Sequence, residues 1–471
     1  MLQVVQAFDR VPIAEIPTDD AGALEAKLEA ATRAFRDRHS GPKLHERIAM
    51  LRRLATLVEH RRDHLAQQVA REGGKPLADA LVEVSRAIDG VLNAAEELRT
   101  FGGQEIPMGL TPASTDRWAF TTKEPIGVVA AISAFNHPLN LIVHQVVPAI
   151  AVGCPVIVKP ASATPLSCLD FVALVHEAGI PEAWCQTFIP DSNDLAERLA
   201  TDPRVAFLSF IGSARVGWHL HHKLAPGTRS ALEHGGVAPA IVDRSADLRR
   251  TIEPMVKGGY YHAGQVCVST QRIFVHADIE SEFLERFTSR VRSLRVGDPL
   301  RPETEVGPLI HPREADRVAS WLEEAAAGRG QVLVGGERLS ETTLSPTVLL
   351  EPPREARISR EEVFGPVTCI YRYTDLDEAI ATANALPVSF QASVFAQDLG
   401  VALHAAERLD ASAVMLNDLT AFRTDWMPFA GRRQSGYGVG GIPYTMREMT
   451  QEKMIVLRRT PDPRPGSPEG G

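Results

Sequence analysis

One cysteine and one glutamate stand in the two stretches of this chain whose residue types could do covalent chemistry. Cys267 lies in the segment Gly-Gln-Val-Cys-Val-Ser-Thr-Gln-Arg, and Glu233 lies upstream, beside Gly235 and Gly236. A thiolate can attack a carbonyl carbon and form a thioester, and a carboxylate can activate the water that hydrolyses it. A cysteine without further context is more often a small buried apolar residue. The other motifs of the chain decide between these two interpretations.

Composition narrows the class of protein. The chain has 471 residues, of which 44% are hydrophobic and 23% charged, as in a globular enzyme of more than one domain. A net charge of −9 disfavours nucleic acid as a partner. The five cysteines include no Cys-x-x-Cys pair, which predicts neither a disulfide framework nor a zinc site. With no signal peptide and no long apolar segment, we expect no membrane contact and a cytoplasmic location.

The first part of the chain is predicted to be helical. Apolar residues recur at helical spacing over residues 21–38 and 44–70, and a third helix runs from Lys75 to about Arg99. The segment Arg117–Lys123 alternates like a strand and has no core of its own. Its aromatic side chains would be exposed unless it forms an oligomer contact, which is the interpretation we favour.

From Ile126 onward, short apolar runs alternate with helices. Such runs are apolar on both faces, which indicates a parallel sheet covered on both sides, the architecture of a nucleotide-binding domain. A second alternation follows Glu233 and indicates a second α/β domain that carries Cys267. The strand near Met454 has no partner nearby in sequence and is predicted to pair with the 117–123 segment, in the same subunit or another.

Two motifs of the first α/β region are typical of cofactor contacts. Gly212 and Ser213 stand between a strand and a helix, where backbone N–H groups can meet a phosphate, although such a turn is also common without a ligand. Lys159 ends a buried strand, and ligands bind at the carboxyl ends of parallel strands. A lysine that simply reaches solvent is the alternative.

Two further polar residues could take part in the chemistry. The amide of Asn136 could donate to a developing oxyanion, although Asn-His before Pro is also typical of a turn. Glu362 could accept from sugar hydroxyls, or be a surface carboxylate.

Taken in order, the motifs resemble those of the aldehyde dehydrogenase superfamily, the non-phosphorylating, NAD(P)-dependent enzymes, from about residue 10 to residue 460. They are Asn-x-Pro, Lys-Pro-x-x-x-Thr-Pro, Gly-Ser after a strand, Leu-Glu-x-Gly-Gly, Gly-Gln-x-Cys, Glu-x-Phe-Gly-Pro and Pro-Phe-Ala-Gly. The resemblance implies an α/β fold with a Rossmann-like cofactor domain (1–115 and 129–232) and a catalytic α/β domain (233–430). It also implies a β oligomerisation arm (116–128 and 450–460). Residues 461–471 are rich in Pro and Gly, and we expect disorder there.

The resemblance also assigns roles. It makes Cys267 the nucleophile, Asn136 and the Cys267 backbone N–H the oxyanion hole, and Glu233 the base that activates water to hydrolyse the thioester. The cofactor, NAD or NADP, accepts the hydride. The substrate is a small-molecule aldehyde, and a homodimer or homotetramer is implied. The implied cofactor residues are Lys159, Ser162, Gly212, Ser213, Glu362 and Phe364.

Some positions depart from the family pattern. Ser162 stands where many NAD-preferring members have a glutamate that repels a 2′-phosphate, so we predict that NADP+ is accepted. His234 follows the base where leucine is usual, and either titrates near Glu233 or packs as a neutral ring. His137 and Arg423 look like the substrate residues of members that oxidise small anionic aldehydes. The apolar residues Val266 and Val268 beside Cys267 favour a neutral aldehyde instead, which is the interpretation we prefer from the sequence.

Two other functions compete with hydrolytic oxidation. A coenzyme A-acylating enzyme commonly lacks the base, which Glu233 argues against. A catalytically retired binding or structural protein would not need Cys267, Glu233, Asn136 and Lys159 together.

Overall fold

The structure is a computed structural model that describes residues 1–37, 41–328 and 330–459. The tail 461–471, for which disorder was expected, lies outside these residues. Within them, the chain starts with a hairpin and a layer of helices. These elements are β1 (Leu2–Val5), β2 (Pro12–Ile16), α1 (Ala21–Arg36), α2 (Leu44–His60), α3 (Arg62–Gly73) and α4 (Leu77–Glu97).

The prediction of one continuous helix over 44–70 is wrong, because the helix is interrupted at Arg61. Its backbone leaves helical geometry there, with φ −103° and ψ 11°. No residue between Val58 and Leu65 is fully buried, so a charged stretch separates the two buried faces. The hairpin of β1 and β2 was not predicted.

A mixed sheet then forms around β5, in the order β19-β9-β8-β5-β6-β7. Its elements, with the arm strands that precede it, are β3 (Glu105–Ile106), β4 (Arg117–Pro125), β5 (Val128–Ile132), α5 (Asn140–Val152), β6 (Val156–Lys159), α6 (Leu166–Glu177), β7 (Cys185–Thr187), α7 (Asn193–Thr201), β8 (Val205–Ile211), α8 (Ala214–His222) and β9 (Arg229–Glu233). Strands β5 to β9 run parallel. Lys159, Gly212 and Glu233 therefore lie at the same end of the sheet, where its parallel strands terminate.

The second sheet has the order β12-β13-β14-β11-β10-β16-β17 and is parallel except where β12 meets β13. Its elements, with those that close the chain, are β10 (Pro239–Val242), α9 (Leu248–Tyr260), β11 (Arg272–His276), α10 (Glu280–Arg292), α11 (Pro312–Ala327), β12 (Gln331–Val334), β13 (Thr347–Leu350), α12 (Arg357–Arg360), β14 (Val367–Tyr373), α13 (Leu376–Asn384), β15 (Val388–Ser389), β16 (Gln391–Phe395), α14 (Leu399–Arg408), β17 (Ala413–Leu416), β18 (Arg432–Arg433), β19 (Gly436–Tyr437), α15 (Ile442–Glu448) and β20 (Thr450–Arg458). The predicted α/β class is confirmed, and Cys267 lies on the loop between α9 and β11.

A small third sheet joins β20, β4 and β3. β20 pairs antiparallel with the whole of β4, from Thr450 opposite Pro125 to Arg458 opposite Arg117. The strand predicted near Met454 thus begins four residues earlier and finds its partner in the same chain. Its apolar side chains remain exposed, with Met454 at 56%. In the described part of the chain, no helix is both long and apolar enough to cross a membrane.

Candidate active site

The loop before Cys267 is held in an unusual backbone conformation. His262, Ala263 and Gly264 have φ values of 50°, 54° and 70°, in the left-handed region that non-glycine residues rarely adopt. A Cβ on Gly264 would lie 2.0 Å from the carbonyl oxygen of Gly365, so this position requires glycine. The side chain of Gln265 fixes the turn, donating to the Pro308 carbonyl at 3.1 Å. This turn directs the loop that carries Cys267 towards the carboxyl ends of the strands in the first sheet.

Cys267 is a protonated thiol at neutral pH. Burial raises its pKa to about 12, and the nearby charges of Glu362 and Glu233 raise it further, while Arg423 opposes them. The thiol therefore needs a base to accept its proton during attack.

Glu233 brings a carboxylate close enough to Cys267 for its charge to act on the thiol. It is the last residue of β9, and its carboxylate lies against Gly440, where a Cβ would stand 2.1 Å from Oε1. Burial raises the pKa of Glu233, and the Arg423 guanidinium partly offsets this. A carboxylate with a raised pKa is a better proton acceptor near neutral pH than an exposed one.

The two glycines after the base make room for other groups of the site. A Cβ on Gly235 would lie 1.9 Å from Oε2 of Glu362, so only glycine lets that carboxylate approach. A Cβ on Gly236 would stand 3.6 Å from the carbonyl oxygen of Cys267. Leu-Glu-x-Gly-Gly is thus the meeting point of base, nucleophile and Glu362.

Asn136 lies beside the nucleophile loop. Its Nδ2 donates to the carbonyl of Gln265 at 2.9 Å, and the side chain is buried. An amide nitrogen carries two hydrogens, so the second remains for an oxyanion on the substrate. Gln265 is two residues from Cys267, which places this donor next to the thiol.

His137 is a neutral ring with a fixed tautomer. Its Nδ1 lies 2.8 Å from Nζ of Lys75, which can only donate, so Nδ1 accepts and Nε2 carries the proton. Burial and the charge of Lys75 lower the pKa of His137 to about 4. Lys75 is itself buried and paired with Glu83. His137 therefore offers a hydrogen-bond donor and carries no charge.

Arg423 carries a guanidinium without a carboxylate partner within 4 Å among the described residues. Its Nη2 lies 3.3 Å from Nδ1 of His144, its plane lies 3.5 Å from the centroid of Phe429, and its Nε is buried without a partner. The carboxylate of Asp425, two residues along the chain, is bound instead by Arg86 and His144. The charge of Arg423 instead acts on Glu233 and Cys267.

The predicted cofactor residues lie at the sheet edge and fit a dinucleotide. Lys159 ends β6, and its Nζ reaches only the carbonyl of Pro160 among the described residues. Ser213 is exposed at the N-terminus of α8 and makes no side-chain cap bond there. Oε1 of Glu362 is buried without a partner, and burial raises the pKa of Glu362 to about 8. Such orphaned groups suit the phosphates and hydroxyls of a nucleotide.

Phe364 and Ser162 complete this set. Phe364 is held at φ 46° with its ring edge-on to Phe135, at 5.8 Å between centroids. Ser162 is exposed on the loop after β6, near Lys159. Among the described residues, no three His, Cys, Asp or Glu side chains converge as a metal site would require.

The side chain of His234 is buried among neighbouring aromatic rings. Its ring lies between Phe210 and Trp218, in space that a side chain at Gly217 would otherwise fill. Burial lowers the pKa of His234, and Nδ1 donates to the carbonyl of Gly212 at 3.0 Å. The backbone N–H of Gly212 donates in turn to the carbonyl of Glu233 at 3.0 Å. His234 thus ties the cofactor turn to the strand of the base.

We expect His234→Leu to weaken cofactor binding. The change leaves the Gly212 carbonyl without its donor, a loss of about 1–2 kcal/mol, which corresponds to roughly a 5- to 30-fold higher KM for the cofactor. His234→Asn keeps a donor near the Nδ1 position and should recover most of the affinity. Steady-state kinetics with the cofactor as varied substrate measure both. Equal KM values for the two variants would contradict this role.

Several site residues could not be found from the sequence motifs. Arg86 and Glu83 lie in α4, and Asp425 and His144 complete their network, with Asn140 also donating to Asp425 at 3.1 Å. The available signal was the placement of charged residues on the apolar face of α4, since Glu83 is flanked by buried alanines and valines. Charges on such a face need partners from elsewhere in the fold.

A thiol, a carboxylate of raised pKa and an amide donor thus lie close together beside a parallel α/β sheet. The family model "Aldehyde dehydrogenase family" matches residues 1–455. This chain therefore belongs to the aldehyde dehydrogenase family, as the motifs predicted, and it is an NAD(P)-dependent aldehyde dehydrogenase.

Individual relatives span almost the whole chain. A 3-sulfolactaldehyde dehydrogenase of Priestia aryabhattai is 35% identical over 456 residues, 97% of this chain and 94% of that protein. Among solved structures, an aldehyde dehydrogenase from Physcomitrella patens in complex with the reaction product succinate has a TM-score of 0.95 at 35% identity, covering 98% of this chain and 95% of that one. A glyceraldehyde-3-phosphate dehydrogenase from Methanocaldococcus jannaschii complexed with NADP has a TM-score of 0.93 at 32% identity, covering 97% and 99%.

Proposed function

We propose that this enzyme oxidises its aldehyde to the carboxylic acid through a thioester on Cys267. The sulfur attacks the carbonyl carbon while the thiol proton passes to Glu233. The resulting oxyanion accepts hydrogen bonds from Asn136 and from the backbone N–H of Cys267. The observation that carries the proposal is the meeting of Cys267, Glu233 and Asn136 across the two sheets.

The second half of the reaction regenerates the thiol. When bound, the nicotinamide cofactor accepts the hydride that the aldehyde carbon loses. The carbonyl then re-forms as a thioester, Glu233 releases the thiol proton to solvent, and the ionised carboxylate takes a proton from a water that attacks the thioester. The C–S bond breaks, the acid leaves, and Cys267 regains its proton. Lys159, Ser162, Gly212, Ser213, Glu362 and Phe364 would hold the cofactor.

NADP+ is the cofactor that Ser162 favours. A serine there places no negative charge near a 2′-phosphate, and Lys159 supplies a cation at the same loop. We expect Ser162→Glu to lower kcat/KM for NADP+ by about 10- to 100-fold through charge repulsion and to leave NAD+ little changed. The neighbouring exposed Ala163→Glu is the control for added charge. A wild-type ratio of kcat/KM for NAD+ to kcat/KM for NADP+ far above one would contradict the proposal.

The substrate that the pocket supports best is a small anionic aldehyde. Arg423 brings a positive charge that no carboxylate within 4 Å neutralises among the residues described, and its charge is felt at Cys267. The names of some similar proteins refer to anions, namely sulfolactaldehyde, glyceraldehyde 3-phosphate and the product succinate, whereas others are lactaldehyde or betaine aldehyde dehydrogenases. A guanidinium binds carboxylate, sulfonate or phosphate through paired hydrogen bonds.

Arg423→Ala tests the substrate class. Anionic and neutral aldehydes of equal length should differ in kcat/KM in the wild type, and the substitution should remove about 10- to 100-fold of that difference by eliminating charge-assisted hydrogen bonds. Arg447→Ala removes an exposed charge, paired with Glu97, and should change nothing. If kcat/KM is higher for neutral aldehydes and Arg423→Ala changes kcat/KM equally for both classes, the substrate is a neutral aldehyde and Arg423 does not select it.

We also propose a homodimer or homotetramer in the cytoplasm. The exposed apolar side chains of β20 and β4, including Trp118 and Leu457, favour burial against another copy. All five cysteines are free thiols, which suits a reducing compartment.

A further inference from the structure

A cavity of about 450 Å³ opens on the second sheet, where β11 and β14 meet α12 and α13. None of its lining residues belongs to the nucleophile, base or cofactor set. Its charged lining consists of Arg272, Arg354, Arg360 and the carboxylate Glu378. Three guanidiniums and one carboxylate therefore line the cavity, so its lining carries a net positive charge.

Arg272 is the most deeply placed of the three. Only 5% of it is exposed, and its Nη atoms donate to the carbonyls of Thr382 (2.9 Å) and Ala383 (3.4 Å) at the end of α13. Its Nε is buried without a partner, and it has no carboxylate within 4 Å in the part of the chain described. Burial lowers the pKa of Arg272, and the charge of Arg354 adds to this. A buried cation without a counter-ion is costly.

The other two arginines are also free of carboxylates among the described residues. Arg354 donates to Oγ1 of Thr382 at 3.1 Å and lies 5.7 Å from the ring centroid of Tyr371. Arg360 forms no ion pair. By contrast Arg357, on the same short helix but outside the cavity, is paired with Glu324 at 2.6 Å. Of these four arginines, the three that line the cavity are the ones without a carboxylate partner among the described residues.

A purely structural role explains only part of this arrangement. The Nη bonds of Arg272 satisfy two carbonyls at the C-terminus of α13 and complement the helix dipole there. They do not use Nε, and they give no reason for Arg354 and Arg360 to face the same space. Like charges at one cavity repel one another unless an anion joins them.

We propose that this cavity is a binding site for a small phosphate monoester, separate from the active site. Guanidiniums bind phosphate oxygens through paired N–H donors, and the exposed pair could close on a phosphate over the buried Arg272. A volume of about 450 Å³ lies within the range of small-molecule sites. The Tyr371 ring offers an apolar wall for the organic part of the ligand.

Calorimetric titration with inorganic phosphate and with glycerol 3-phosphate tests this site. Saturating NADP+ is present throughout, so that the phosphate contacts of the cofactor are filled. We expect saturable 1:1 binding to the wild type, at least 10-fold weaker in Arg354→Ala/Arg360→Ala and unchanged in Arg357→Ala. Arg360→Glu alone, at an exposed position, should also abolish binding and keeps the test valid if the double variant unfolds.

Arg423→Ala separates this site from the aldehyde pocket. Retained binding in Arg423→Ala, together with loss in the cavity variants, supports the proposal. Binding that is lost in Arg423→Ala but kept in the cavity variants would place the ligand in the active site and overturn it. Absence of saturable binding to the wild type would overturn it as well.

Discussion

Cys267→Ala should reduce the rate of nicotinamide reduction by at least about 10³-fold, because no other thiol stands at the site. Cys154, Cys168, Cys185 and Cys369 are all buried, and burial raises the pKa of each. The measurement is the initial rate with a saturating aldehyde and cofactor. Thermal unfolding of the variant should show little change, since Cys267 is only partly buried.

Cys185→Ala is the matched control. Burial raises the pKa of Cys185 to about 12, the same value as for Cys267, yet its strand β7 is at the far edge of the first sheet from β9. We expect this variant to lose some stability through the cavity left in the core and to keep activity within a few-fold. A Cys267→Ala variant that retained a tenth of the wild-type rate would rule out the thioester mechanism.

The comparison of the two thiols shows what the sequence could and could not predict about the site. The residue types and their order along the chain predicted catalytic roles for Cys267, Glu233 and Asn136, which remain predictions. The pKa of Cys267 depends on Glu362 and Arg423, which are distant in sequence and are brought close only by the fold. Asp425 is a second example of contacts that only the fold creates. Its partners Arg86 and His144 lie on α4 and α5, and because they bind its carboxylate, Arg423 has no carboxylate partner within 4 Å among the described residues.

The fold was predictable to the extent that hydrophobic patterning determines it. Long amphipathic helices and continuous apolar strands such as β5 and β8 have strong periodic signals. β9 was not predicted because only Ala231 and Leu232 of its five residues are apolar, so it forms no continuous apolar run and gains its stability from hydrogen bonding to β8. The omission of β9 mattered most, because that strand sets Glu233 beside the Gly212 turn.

Glu233→Gln should convert the enzyme into one that reacts once and then stalls. Acylation should slow, because the thiol proton must then pass to water, but hydrolysis should fall further, by about 10²- to 10⁴-fold, because the amide cannot take a proton from the attacking water. Stopped-flow absorbance should show a burst of about one reduced cofactor per active site, followed by a slow phase. Added hydroxylamine should restore turnover by attacking the thioester directly. Coenzyme A should not stimulate the wild type.

Glu72→Gln is the control for removing a buried carboxylate. Burial raises the pKa of Glu72 to about 8, but its oxygens accept from the backbone of Leu166 and Ser167 at the start of α6 and do not reach Cys267. This variant should lose stability without a burst. A Glu233→Gln enzyme with linear, undiminished turnover would assign hydrolysis to another base.

The pH dependence of hydrolysis gives the same assignment without removing Glu233. The base works only when ionised, and burial raises its pKa, so the rate of the wild type should fall as pH drops through that raised value. The Arg423 charge favours the ionised form and lowers this pKa. In Arg423→Ala the acid limb should therefore move to higher pH, measured as single-turnover deacylation against pH. An unmoved limb would mean that the titrating group is not Glu233.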